Sequence, residues 1–384
     1  MVLELALIAD AKRGIDYYID NVVGALAELD SRNRYTLFAY FFKGHAEKAA
    51  RLPRPNRDNF ETRYVRFPER LVRALDHRRG WPVAKALLGG RGPDVYHVLA
   101  GGCLPHVAGA KTIVTFFDLS DETIPKSGKP EPGKKISSPY TYELARRADL
   151  LIATSENLKK ELIRYYALPE SKIRVLTSGV DLKRFRPVTD PEALRKVRER
   201  YRLPERYLLV VGPYIPLFRT NADFIVRAFA LLKDGAAKGC SLVLIGSRGG
   251  PLESLLNLAE ELGLRERIVT TGYVPIEDLP AIYTLALGCV HPTSVEGFGF
   301  GLEVMACGTP FIASTTAGNR ESMGDAALSV PPQQVAPLSD AIKRLLEDEP
   351  LRRALREKGL SRAALFSYEE IARKLVAIYE ELVN

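Results

Sequence analysis

Two glutamates and four glycines in one short stretch, residues 291–310, carry most of the chemistry legible in this chain. Glu296 stands before Gly297, Phe298 and Gly299; Gly301 follows, then Glu303. The stretch comes after a strand-like run and opens a helix. Alternating glycines let a backbone approach a ligand closely, and the free N–H groups of a helix start, with its dipole, favour an anion such as a diphosphate. Glu303 falls in the first helical turn, where its carboxylate can accept two hydrogen bonds from neighbouring hydroxyls, as a ribose would offer. Glu296 is placed to face a sugar. Gly308 is expected to end the helix before Thr309–Ser314 resumes as a strand.

Residues of this kind need a scaffold that presents loops at one edge. Short apolar runs alternate with longer amphipathic stretches along the whole chain. Val2–Ala9, Tyr35–Phe42, Val95–Leu99, Thr112–Phe116, Leu150–Thr154 and Ile173–Leu176 occupy the first half. Tyr207–Val211, Leu242–Ile245, Ile268–Thr271, Cys289–His291, Phe311–Ser314 and Leu328–Val330 occupy the second. Such runs suit strands buried on both faces. Segments such as Asn221–Leu232, Leu252–Leu262 and Glu277–Leu287 read as helices between them. Alternation of this sort implies parallel α/β sheets, and twelve strands divide most naturally into two doubly wound, Rossmann-like domains. The expected division is 1–182, a polar linker at 183–206 containing a short helix at Asp190–Arg202, a second domain at 207–366, and a C-terminal helix at 367–384. That helix places Ile371, Leu375, Ile378 and Leu382 on one face, with Ser367 and Glu370 as a capping box.

Composition bounds the rest. The 384 residues are 46% hydrophobic and 27% charged, which is globular rather than disordered. The net charge of +8 is spread along the chain, and no basic-aromatic strand pattern points to nucleic acid. Cys103, Cys240, Cys289 and Cys307 form no CxxC pair and read as reduced core thiols, the usage expected of a cytoplasmic protein. The apolar N-terminal run has no basic leader and is too short to span a bilayer. The arginine-rich stretch Arg63–Arg79, with Phe67, Leu71, Val72, Leu75 and Trp81 interleaved, reads first as a solvated helix. The alternative is an amphipathic surface for anionic lipid or a lipid-linked acceptor, giving peripheral contact at the inner face of a membrane.

The motifs taken together resemble the retaining glycosyltransferases of family 4, which have the GT-B fold of two Rossmann-like domains facing a cleft. Glu296-Gly-Phe-Gly and Glu303-Val-Met-Ala-Cys-Gly-Thr-Pro resemble that family's donor-site motif. Gly14-Ile15 resembles its first glycine loop, Ala148–Ser155 its second-half strand of the first domain, Ile173–Asp181 the segment before the linker, and Gly318–Glu321 its GG-x-x-E loop. The resemblance implies transfer of a sugar from a UDP- or GDP-linked donor to a glycan, lipid-linked or small-molecule acceptor, with retention and without a metal. No Asp-x-Asp is placed to hold one, and no cofactor is implied. It implies that Glu303 holds the donor ribose, that Glu296 contacts the sugar, and that Gly297, Phe298 and Gly299 line sugar and phosphate. Gly212 and Arg219 then face the diphosphate, where arginine binds oxygens in a fork. Gly272, Tyr273 and Val274, with the turn at Gly246, bound the base, and Gly14 and Asp118 belong to the same site from the first domain.

Four positions depart from the family. Glu296 and Glu303 enclose six residues rather than seven. Pro213 occupies a usual arginine position, leaving Arg219. Phe117 stands where many members have a histidine before Asp118. Asp16 follows Gly14-Ile15 where a glycine is common, and a carboxylate there repels a diphosphate unless it turns outward or binds an acceptor. These departures motivate an alternative, a catalytically impaired sugar-nucleotide-binding or partner subunit. His97 and His106 are further candidates for facing the cleft, with a structural role as the simpler reading.

Overall fold

In the computed structural model, residues 1–5, 14–42, 44–68, 71, 88, 90, 92–99, 107, 109–117, 119, 139–212, 221–246, 250–293 and 299–384 are described. The chain divides into two units, Met1–Gly179 with Tyr368–Asn384, and Val180–Ser367.

The first unit holds seven strands in the order β3-β2-β1-β4-β5-β6-β7, every neighbouring pair parallel. They are β1 (Val2–Glu4), β2 (Tyr35–Tyr40), β3 (Phe60–Val65), β4 (Val95–Val98), β5 (Lys111–Phe116), β6 (Leu150–Ala153) and β7 (Ile173–Val175). Its helices are α1 (Gly14–Leu29), α2 (His45–Ala50), α3 (Pro139–Arg147), α4 (Glu156–Tyr166) and the C-terminal helix Tyr368–Val383. Successive side chains of a strand point to opposite faces, so each strand feeds two cores. Leu37, Val95 and Ile113 pack with α1 and the C-terminal helix, whereas Phe38, Tyr96 and Val114 pack with α3 and α4. Both layers bury apolar side chains, which is why these runs are apolar without alternation.

The second unit repeats the plan with the order β10-β9-β8-β11-β12-β13, again parallel throughout. Its strands are β8 (Tyr207–Val211), β9 (Ser241–Ile245), β10 (Ile268–Gly272), β11 (Gly288–His291), β12 (Phe311–Ser314) and β13 (Leu328–Val330). Its helices are α5 (Pro191–Tyr201), α6 (Ala222–Ala230), α7 (Gly250–Glu261), α8 (Leu279–Leu285), α9 (Phe300–Ala306), α10 (Ala317–Met323), α11 (Val335–Glu347) and α12 (Glu349–Ala364). The C-terminal helix is α13. Leu209, Val243 and Phe311 pack on one face with α9, and Leu208, Leu242 and Ile312 on the other with α6 and α11.

Thirteen strands are described where the apolar runs indicate twelve. The additional one is β3, whose residues alternate between half-buried and exposed. It sits at the sheet edge with β2 as its one neighbour, so it needs no continuous apolar run. The helical reading of Arg63–Arg79 fails at its start, where Arg63, Tyr64 and Val65 are strand and Arg63 pairs with Glu61 at 3.2 Å; residues 69, 70 and 72–81, including Val72, Leu75 and Trp81, lie outside the described residues. Gly318–Glu321, read as a loop, lies inside helix α10.

Residues 180–206 pack with the second unit. Val180, Phe185, Val197 and Leu203 are buried in its core, and the Val180 N–H donates to the Phe366 carbonyl at 2.8 Å. The short helix there is capped by Asp190, whose carboxylate accepts from the Glu192 N–H, with Pro191 in the first turn. In α13, Ile371 and Leu375 are buried, with Ile378 and Leu382 packed beside them. Cys240, Cys289 and Cys307 are buried free thiols.

Candidate functional site

In a parallel sheet every strand delivers its chain to the same rim, so loops that are distant in sequence meet there. In the second unit, Gly212 follows β8, Gly246 follows β9, Gly272 ends β10 and is followed by Tyr273 and Val274, and β11 leads toward Gly299 and α9. Backbone bonds join these ends: the Gly212 N–H donates to the Ile245 carbonyl and the Gly246 N–H to the Gly272 carbonyl, both at 3.1 Å. The strand order reverses between β8 and β11. Such a reversal is the place where open α/β sheets bind ligands.

Gly299 precedes α9, and its carbonyl accepts from the Leu302 and Glu303 N–H groups at 2.9 and 3.3 Å. Glu303 is therefore in the first turn and half-buried. Loss of water pushes its carboxyl up to about 8; Arg184 draws it down and Asp181 adds to the rise. A group so placed holds its proton until a partner offers hydrogen bonds to the ionised form. The helix ends at Gly308, φ +76°, where the Gly308 N–H reaches the Met305 carbonyl and the Thr309 N–H the Val304 carbonyl. These are the paired bonds of a Schellman terminus, and Arg356 Nη1 donates to the Gly308 carbonyl at 3.1 Å.

Gly301 has a different task from the one its spacing implies. It is buried, and a Cβ there would overlap Met323 Cε, with Met323 Sδ at 3.1 Å and Phe311 Cε1 at 3.3 Å. It permits α9 to lie against α10 and β12 rather than against a ligand. Val274 is likewise core, 6% exposed, while Tyr273 beside it is 71% exposed, so only the tyrosine offers a surface next to the rim. His291, at the end of β11, packs 4.8 Å from the Phe300 ring, and burial lowers its pKa to about 4. It is neutral at physiological pH.

In the first unit, Gly14 opens α1 and Asp16 follows in its first turn. Asp16 is 5% exposed, so its carboxylate does not turn outward to solvent. Phe117 meets the Tyr18 ring edge-on, centroids 4.8 Å apart. His97 is fully buried. Its Nδ1 lies 2.7 Å from Tyr379 Oη and its Nε2 2.8 Å from Thr115 Oγ1, and burial holds its pKa down near 3. That is a core histidine joining α13 to β4 and β5. Glu296, Gly297, Phe298, Asp118, Arg219, Pro213, Cys103 and His106 lie outside the described residues. Among the described residues, no group of three His, Cys, Asp or Glu could hold a metal ion, and no helix is long and apolar enough to cross a membrane.

Sequence reasoning passed over three buried polar residues at this rim, Asn221, Ser314 and Asn319. Isolated Asn and Ser at element ends look like ordinary caps, and only their partners distinguish them.

Comparison with known proteins agrees with this layout. Residues 12–184 match the model of Glycosyltransferase Family 4, and residues 195–362 that of Glycosyl transferases group 1. The chain is 32% identical over 294 residues to the O-antigen chain mannosyltransferase B of Escherichia coli, covering 76% of this chain and 74% of that one. It is 34% identical over 249 residues to the D-inositol 3-phosphate glycosyltransferase of Corynebacterium jeikeium, covering 62% and 59%. Among solved structures, a glycosyltransferase from Rickettsia africae superposes with a TM-score of 0.78 at 17% identity, over 100% of this chain and 98% of that one. The Anabaena protein HepE, in complex with UDP and glucose, superposes with a TM-score of 0.73 at 15% identity, over 99% and 100%. The fold is GT-B.

Proposed function

This chain belongs to the group 1, family 4 glycosyltransferases, and from that premise we propose that it transfers a hexose from a UDP- or GDP-linked donor to a hydroxyl acceptor, with retention and without a metal ion. The observation that carries the reading is Glu303. It stands one turn into the helix that follows β11, beside the strand reversal, in an environment that favours the protonated acid until hydroxyl donors arrive. A donor ribose supplies two such hydroxyls. Tyr273 would flank the base, Gly212 and Arg219 the diphosphate, and Glu296 with Gly297–Gly299 the sugar; Gly14 and Asp118 are the first-unit residues that the family resemblance assigns to the donor. Departure of the nucleoside diphosphate would be eased by Arg219 and by helix N-termini, as preorganised charge stabilises a leaving group.

The mannosyl transfer named for one relative supports a hexose donor, and the glycosyl transfer to D-inositol 3-phosphate named for another supports a polyhydroxyl or phosphorylated acceptor. A lipid-linked acceptor would bring the protein to a membrane surface. Phe42, Tyr64 and Leu71 are 52%, 43% and 48% exposed, and Arg66 lies over the Phe42 ring at 5.5 Å, a combination that suits anionic headgroups. Co-sedimentation with phosphatidylglycerol vesicles, lost in high salt, tests that contact.

The main reading is tested by supplying UDP- and GDP-hexoses with a panel of hydroxyl acceptors in the presence of EDTA. Nucleotide release with product of the donor's anomeric configuration is expected. Inverted product, or dependence on added divalent metal, contradicts it. The alternative of a nucleotide-binding subunit without turnover is favoured by Phe117, whose ring packs on Tyr18 and offers a sugar no hydrogen bond. Nucleotide binding without transfer across the panel would select it.

A further inference from the structure

β8 and β11 meet where the strand order of the second unit reverses. A ligand bound beyond their ends is held well only if the spacing of those ends is fixed. Asn221, the residue immediately before α6, is 1% exposed and has φ 52° and ψ 35°, the left-handed conformation that asparagine tolerates better than most residues. Asparagine in front of a helix ordinarily accepts a bond from the second or third N–H of that helix. Asn221 makes no such cap. Its Nδ2 instead donates to the carbonyl of Pro292 at 2.6 Å, 71 residues away, on the far side of the strand reversal.

The next carbonyl along is held as well. Ser314 Oγ, at the end of β12, donates to the Thr293 carbonyl at 2.5 Å and accepts from Asn319 Nδ2 at 2.9 Å. Ser314 and Asn319 are 0% and 2% exposed. Two consecutive carbonyls where the chain leaves β11 are thus gripped from opposite sides, one by the residue that closes the β8 loop and one by the end of β12.

We propose that Asn221 is a positioning residue for the donor diphosphate: its side-chain bond to the Pro292 carbonyl fixes the start of α6 against the chain leaving β11, with Ser314 and Asn319 bracing the other side. This rests on the donor-site reading above. Asn is suited to the role because it combines the left-handed backbone with an N–H donor. Aspartate would face the carbonyl with a second acceptor, and glycine would keep the backbone and lose the bond.

Asn221→Gly therefore separates the two contributions. UDP and GDP are titrated calorimetrically into the full chain and into Asn221→Gly, Asn221→Asp and Ser314→Ala, with thermal melts and donor and acceptor KM in parallel. For whichever nucleotide the parent binds, Asn221→Gly is expected to weaken binding and raise donor KM about tenfold, because a lost buried bond misplaces the loop. Acceptor KM should stay within about twofold, and the melting temperature within a few degrees, since glycine relieves the left-handed strain. Asn221→Asp should weaken binding at least as much. Parent-like nucleotide affinity in Asn221→Gly overturns the proposal, as does a loss shared equally by donor and acceptor KM, which marks a general loosening. Should Asn221→Gly not fold, Ser314→Ala decides: it loosens the same strand end, and unchanged nucleotide affinity overturns the proposal. A parent that binds neither UDP nor GDP fails the donor-site reading itself, and the proposal with it.

Discussion

Nucleotide affinity should rise with pH, and Glu303 should be the cause. Desolvation in the first turn of α9 places its carboxyl pKa at about 8. In the free protein about one molecule in ten is then ionised at pH 7, and about nine in ten at pH 9. Ribose hydroxyls donate to a carboxylate, so the nucleotide selects the ionised form, and apparent affinity follows that fraction. The expected gain is about tenfold between pH 7 and pH 9, with about 0.9 proton released per nucleotide bound at pH 7. The last phosphate proton, with a pKa near ~6, is already lost over this range. Calorimetry of UDP and GDP in buffers of differing ionisation enthalpy measures both quantities. Glu303→Gln should bind more weakly and without that slope. A flat pH profile in the parent, or the same slope in Glu303→Gln, refutes the reasoning. Stability moves the opposite way. The folded pKa lies above the ordinary 4.5, so the folded state holds the extra proton between pH 4.5 and about 8. The contribution is present in full below pH 4.5 and is lost as pH rises through 8. Melting curves of the parent should carry this slope, and those of Glu303→Gln should lack it.

Three further outcomes follow from packing. Gly301→Ala should destabilise the second unit by about 1–3 kcal/mol, because the new methyl meets Met323 and Phe311; Met323→Ala in the same chain should recover part of the loss in chemical denaturation. Gly308→Ala combines a left-handed φ of +76° with an Arg356 guanidinium 2.8 Å from the new carbon, and should cost about 1–2 kcal/mol by the same measurement. Tyr379→Phe leaves His97 Nδ1 buried without its phenol, which costs about 1–3 kcal/mol. With the His97 pKa near 3, that loss should be the same at pH 5.5 and pH 8.

The strands that are buried on both faces were readable because their two cores demand apolar residues at successive positions. Tyr207–Val211 is a single run for that reason, although its side chains divide between two layers. β3 was not readable in this way, since an edge strand has one covered side and its Phe60-Glu-Thr-Arg-Tyr-Val pattern resembles an amphipathic surface. Helix α9 was legible from Gly308, whose left-handed φ of +76° ends it, and from Glu303 by its register. Gly301 was misread for a physical reason. A glycine required by a neighbouring side chain and one required by a ligand look identical until the neighbour, here Met323, is known.

By itself the sequence established the two doubly wound halves, the glycosyltransferase motif order and the helix that begins beside Glu303, because hydrophobic period, turn residues and helix ends are local properties of the chain. Tertiary structure alone decided which polar residues brace the chain at this rim. Asn221 and Pro292 are 71 residues apart, and their bond exists only because β8 and β11 pair in parallel across the strand reversal. The raised pKa of Glu303 is likewise a product of what surrounds it, since desolvation and the nearby Arg184 and Asp181 are set by packing and are written in no local pattern.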